Sequence, residues 1–182
     1  MAEFLSSMGE AAITASLVVD AEGSHIGPDG TSKSLGGEAD FRFLMQFRKR
    51  SSTVLTTGKT ARVENYRVPT SASLVVLTRS DIDSLPQALR VETVRLIGNK
   101  HEISPTEAVE ELLTAGNLPI HLEFGPSALI ETLRARNDVR AFISSEFEAG
   151  ASNFTAMKDL RNLNSFRFQN LYVTEVSGRA SE

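Results

Sequence analysis

Two short stretches carry the residue types that meet phosphate. One is Thr57-Gly58-Lys59-Thr60, which closes the β-branched run STVLTTGKT from Ser52; the other is Glu123-Phe124-Gly125-Pro126-Ser127. Each sets a glycine and a hydroxyl side chain where a strand should hand over to a helix. The first N–H groups of a helix lack partners of their own and favour an anion. Lys59 and Arg62 add positive charge beside the first stretch, and a charge-assisted contact to phosphate is worth about 1.5–3 kcal/mol. One such turn would read as an ordinary connection. Two together point toward a nucleotide.

The first stretch is not a P-loop. That motif needs a glycine, four residues, then Gly-Lys-Ser/Thr, so that backbone amides curl around the phosphates. Counting back from Gly58 reaches Thr53, inside the expected strand, and the following ARVENYRVP soon meets Pro69 without a long apolar helical period. Other chemistries fare worse. The chain has no cysteine, which excludes disulfides, zinc-thiolate sites and thiol nucleophiles. His25, His101 and His121 lack metal-ligand spacing, so no metal is expected. His121, in IHLEF, reads as a packed or edge histidine. There is no Gly-x-Ser-x-Gly elbow. Asp20, Asp29, Asp40 and Glu123 are scattered, and spacing assigns no catalytic residue.

The elements that would position these stretches alternate along the chain. Strands are expected at Ala12–Val19, Thr53–Thr57, Ser73–Thr78, Arg90–Ile97, Leu118–Phe124, Val139–Ser144 and Phe166–Val176. Residues 20–40, DAEGSHIGPDGTSKSLGGEAD, hold Gly23, Gly27, Gly30, Gly36, Gly37 and Pro28. That is loop chemistry, either functional or a surface insertion. A helix is expected over Glu38–Arg50, burying Phe41, Leu44, Met45 and Arg48. Ser104-Pro105-Thr106-Glu107 predicts a capped helix that buries Val109, Leu112 and Leu113 and stops at Gly116. Helices are also expected over Ala128–Arg136 and, short and weak, Asn153–Leu160. This alternation predicts an α/β protein with a mostly parallel central sheet, flanking helices and an antiparallel edge.

The 182 residues, 41% of them hydrophobic, suit one domain across 1–182 with its core over about 12–176. Net charge is -4 with no basic stripe, so neither nucleic acid nor membrane is an expected partner. The start MAEFLSSMGE has no Lys or Arg, unlike a signal peptide, and the polar end SGRASE is expected to fray. No apolar run approaches the ~20 residues of a bilayer span. A soluble, cytoplasmic protein is the expectation.

The order of these pieces is more informative than any one of them. A strand with Ser16, the loop GPDGTSKSLGGEAD, a helix, Arg48, VLTTGKTARVENY and then LEFGPSALIETL follow one another over residues 12–176. This resembles the reductase domain of bacterial riboflavin biosynthesis, the C-terminal half of the pyrimidine deaminase/reductase family, with a dihydrofolate-reductase-like fold. The resemblance implies NADPH as cofactor, with Thr57, Gly58, Lys59, Thr60 and Arg62 in the NADPH loop. Lys59 or Arg62 would meet the adenosine 2′-phosphate. Glu123, Phe124, Gly125, Pro126 and Ser127 match the family's Glu-Gly-Gly-Pro, where pyrophosphate and nicotinamide ribose approach the backbone. Ser16, Ser32, Asp40 and Glu64 fall on the side of a pyrimidine-type substrate. The implied activity is that of a 5-amino-6-(5-phosphoribosylamino)uracil reductase or a related pyrimidine reductase, and the implied assembly is a homodimer. Thr57, Lys59 and Phe124 stand where the family has glycines, and the Ser-x-Asp-Gly signature is blurred to SLVVDAEG. A non-catalytic relative, serving as a nucleotide-binding or dimeric interaction module, is therefore the alternative.

Overall fold

The computed structural model describes residues 11–99 and 101–178. The start of the chain, on which the expectation about a leader falls, lies outside these residues, as do residues 179–182; of the tail SGRASE expected to fray, Ser177 and Gly178 instead belong to the last strand. Strands β1 (Ile13–Val18), β2 (Thr53–Thr57), β3 (Ser73–Leu77), β4 (Val94–Ile97), β5 (Ile120–Glu123), β6 (Val139–Ser145), β7 (Leu160–Phe168) and β8 (Leu171–Gly178) form one eight-stranded sheet, ordered β4-β3-β2-β5-β1-β6-β8-β7. From β4 to β6 all neighbours are parallel; β8 joins β6, and β7 joins β8, antiparallel. This is the expected mostly parallel sheet with an antiparallel edge. β5 is wedged between β2 and β1, so that Thr53 and Ile13 both register with Ile120. The inner strands carry Ile13, Ala15, Val54, Leu55, Ile120, Leu122, Ala141 and Ile143, all fully buried. Strands covered on both faces need such apolar runs.

Helices α1 (Lys33–Arg50), α2 (Gly58–Val63), α3 (Pro105–Thr114), α4 (Pro126–Ala135) and α5 (Glu148–Lys158) connect and cover the strands. α3 starts as its sequence dictates: Ser104 accepts from the Glu107 amide, Glu107 accepts from the Ser104 amide, and Pro105 opens the helix. It buries Val109 and Leu112, with Leu113 half-buried.

Four expectations need correction. α1 begins at Lys33, not Glu38, and is broken at Gly37, whose φ of 54° suits glycine. Its buried stripe is Leu35, Ala39, Phe43 and Phe47, whereas Phe41 is 58% exposed. Phe43 and Phe47 are one helical turn apart and meet Phe142 of β6 at 6.5 and 5.3 Å, while Phe43 meets Phe168 of β7 at 5.0 Å. Those partners lie about a hundred residues away, beyond any local periodicity. β4 is shorter than Arg90–Ile97, because 3₁₀ turns at Ile82–Ser84 and Gln87–Leu89 occupy the approach to it. α5 begins at Glu148 rather than Asn153 and ends at Lys158, with Asp159 left-handed beyond it. The single final strand is a hairpin, β7 turning into β8 at Gln169, whose φ is 55°. A Gln-Asn turn lacks the glycine that usually marks a two-residue hairpin.

Among the described residues, no helix is long and apolar enough to cross a membrane, and no group of histidines and carboxylates could hold a metal ion.

Candidate functional site

The carboxyl ends of β1, β2 and β5, three neighbours at the centre of the sheet, open on one cavity of about 1270 Å³. Ligands of parallel sheets bind at this end. Thr57, Lys59 and Thr60 line the cavity from the turn after β2. Glu123, Phe124, Gly125, Pro126 and Ser127 line it from the turn after β5. Ser16, Ser32, Asp40 and Glu64 line it from the remaining side. Gly58 and Arg62 do not. Gly58 is pressed against β3: a Cβ there would lie 2.7 Å from Thr78 Oγ1. Its smallness serves packing.

Backbone and hydroxyl groups build one wall. Thr57 Oγ1 accepts from the Thr60 amide at 3.1 Å and donates to Thr60 Oγ1 at 3.0 Å. Thr60 Oγ1 in turn accepts from the Gly125 amide at 3.2 Å. Two turns 65 residues apart are thus tied into one surface. Gly125 caps α4 without a side-chain hydrogen bond, so the first free amides of α4 belong to Ser127 and Ala128, both of which line the cavity. A Cβ on Gly125 would meet only Thr60 Oγ1, at 3.6 Å. Phe124 is 2% exposed, and its side chain joins the main core with Leu122 and Leu129. It does not stand across the turn as an obstruction.

Buried and half-buried ionisable groups build the other wall. Arg48, at the end of α1, holds Glu123 through Nε at 2.7 Å and Nη2 at 2.8 Å. Arg48 Nη2 also reaches Tyr66 Oη at 2.9 Å, and Tyr66 donates its hydroxyl to Glu123. Burial pushes the Glu123 carboxyl up, and the Arg48 guanidinium works against that. His121 of β5 is fully buried and stacked on Phe47, ring centroids 4.7 Å apart. Its Nδ1 meets Thr14 Oγ1 at 2.9 Å and its Nε2 meets Ser16 Oγ at 3.0 Å. Burial, then the Arg48 charge, lowers its pKa to about 3, so the imidazole is neutral. It is the packed histidine expected, and it anchors Ser16. Asp40 accepts from Ser144 Oγ at 2.7 Å. Burial pushes its carboxyl up, against the Ser144 hydrogen bond, with Glu123 and Glu146 adding to the rise. Glu64 accepts from the Ser32 amide at 2.9 Å and fixes the loop before α1.

Sequence reasoning missed Tyr66, His25, Lys158 and the exposed Phe41, which also line the cavity, and assigned Arg48 no place in the site. Tyr66 and Lys158 carried no local signal. The exposed, apolar Phe41 was misread as core.

No family model and no curated protein sequence matches the chain. Solved structures do. A pyrimidine reductase-like protein from Corynebacterium diphtheriae superposes with a TM-score of 0.69 at 18% identity, over 97% of this chain and 95% of that one. The fold is that of the pyrimidine reductases. RibD of Acinetobacter baumannii has the same pyrimidine-reductase fold, with a TM-score of 0.65 at 13% identity over 94% of this chain, which spans only 59% of the RibD chain. The riboflavin biosynthesis reductase Rib7 of Saccharomyces cerevisiae gives 0.59 at 12% identity, over 91% of this chain and 88% of that one. The dihydrofolate-reductase-like architecture implied by the motif order is the one observed.

Proposed function

We propose that the chain is an NADPH-dependent reductase of a ribosylaminopyrimidine-type intermediate of riboflavin biosynthesis, or of a related pyrimidine, acting as one cytoplasmic domain and as a homodimer. The observation that carries this reading is the Thr57–Thr60–Gly125 bridge, opening in the same cavity as Ser16 and Asp40. The residues present fit a phosphorylated dinucleotide. Gly125 leaves its Cα bare for close backbone approach, the α4 amides face an anion, and Phe124 is out of the way.

When bound, NADPH supplies the hydride. The α4 amides hold pyrophosphate oxygens, and Lys59, exposed on α2, takes the adenosine 2′-phosphate. Ser16, oriented by His121, and Ser32, held by Glu64, hydrogen-bond the substrate. Reduction of an imine or carbonyl also consumes a proton. Glu123 is paired with Arg48, whereas Asp40 is a cavity carboxyl whose burial keeps a proton on it at a higher pH than an exposed aspartate would. Arg48, Glu123 and Tyr66 keep the floor of the site rigid and exclude water.

Calorimetric titration with NADPH and, separately, NADH tests the reading. Micromolar NADPH binding and much weaker NADH binding is the expected result. Absence of binding to either would overturn it in favour of a non-catalytic relative.

A further inference from the structure

The long segment between β1 and α1 is not a loose insertion. Asp20 accepts from the Ser24 amide at 2.6 Å, and Asn153 of α5 donates to the Ala21 carbonyl at 2.8 Å. Gly23, at φ 83°, lies so close to α5 that a Cβ would fall 2.6 Å from the Phe154 nitrogen. Only glycine permits this approach. The contact carries His25 to the end of α5, where Lys158 stands, and toward Lys59 at the start of α2. All three line the cavity. Among the described residues, none of the three side chains makes a salt bridge or a hydrogen bond. Burial, Lys158 and then Lys59 hold the His25 pKa low; Glu64 is the carboxylate that opposes them. Its Oε1 is engaged by the Ser32 amide.

Three basic side chains from separate elements therefore line one cavity without partners among the described residues, the two lysines near enough for their charge to act on His25. Like charges so placed repel unless an anion joins them. We propose that His25, Lys59 and Lys158 form a subsite for a phosphomonoester dianion. Two lysines offer point charges to the phosphate oxygens, and the imidazole becomes a further donor when it takes up a proton. The subsite rests on the reductase reading only for the source of the phosphate: the adenosine 2′-phosphate already given to Lys59 is the expected one, and the sugar phosphate of a substrate is the alternative that the test separates. A bound dianion raises the His25 pKa, so binding takes up a proton. Affinity is greatest below the free His25 pKa and falls as pH rises through the bound one.

The test follows His25 by side-chain NMR across pH, with sulfate as probe because it stays dianionic, against chloride at equal ionic strength. Sulfate should move the His25 midpoint up by about one pH unit, and Lys158→Gln should abolish most of that movement while leaving thermal unfolding unchanged. No movement beyond the chloride control overturns the subsite. Adenosine 2′-monophosphate and ribose 5-phosphate then identify the source. A response about tenfold tighter than sulfate's to either one supports the assignment and names its ligand. Sulfate-like responses to both would reduce the site to general anion attraction and overturn it. The two proposals separate cleanly. NADPH binding with a silent His25 and no loss in Lys158→Gln removes the subsite alone. A His25 response without NADPH binding removes the dinucleotide alone.

Discussion

The two walls of the cavity are made of different material. The wall formed by Thr57, Thr60 and Gly125 uses backbone amides and hydroxyls at the starts of two helices, with cations standing in solvent. The wall formed by Arg48, Glu123, Tyr66, His121 and Asp40 uses ionisable groups, the middle three buried and the outer two half-buried, held largely out of water. Partners in the first wall can be removed cheaply, because water replaces them. In the second, removal of one partner strands the other in a poor solvent. Binding and stability should therefore separate by wall, with ligand affinity sensitive on one side and folding on the other.

Four experiments press on that division. Glu123→Ala should have the largest effect, up to about 3 kcal/mol of lost stability, because it leaves the half-buried Arg48 charge without its carboxylate; denaturant unfolding with little change in midpoint would erase the distinction between the walls. His121 comes next. Its folded pKa of about 3 lies below the unfolded value of 6.5. Its contribution to stability is complete above 6.5 and is lost as pH falls toward the folded pKa, at up to about 1.4 kcal/mol per pH unit. The acid limb of a stability–pH profile should flatten in His121→Asn, and an identical limb in the variant would mean that other groups carry it. Asp40 has the opposite sign. Its folded pKa is raised, so its contribution is greatest below the unfolded value and is lost as pH rises through the folded one. Asp40→Asn should gain slightly in thermal stability near neutrality and gain nothing in acid; a loss near neutrality would show that the Ser144 contact outweighs burial. Lys59→Ala should leave unfolding unchanged and weaken NADPH by about tenfold or more, with NADH nearly unaffected. Equal weakening of both would remove the 2′-phosphate from Lys59.

Legibility in the sequence follows the same division. The turn at Thr57–Thr60 and the start of α4 could be read directly, because strand, glycine, hydroxyl and helix lie within a few residues of one another. The capping box of α3 is likewise a local signal, and it appears as written. The buried wall could not be assembled this way. Arg48 and Glu123 are 75 positions apart, and their pairing exists only because β5 enters the sheet beside β2. The wrong face assigned to α1 has the same origin: Phe41 and Phe43 are equally apolar, and only the aromatic floor supplied by β6 and β7 decides which turns inward. Motif order, rather than any single motif, carried the fold, since it reflects the sequence of strands that a sheet must thread.

The wedged position of β5 has a consequence for how the molecule comes into being. β1 and β2 are both made before β5, yet they are not neighbours; each hydrogen-bonds to β5, which is synthesised some sixty residues after β2. Until then neither strand has its partner on that side, and the Thr60–Gly125 and Arg48–Glu123 links have only one end. Long-range closures of this kind slow folding and leave strand edges open meanwhile. On the ribosome, the cavity can form only after the chain has been extended past Gly125, well after β1, β2 and the turns that follow them, which line half of it, have emerged.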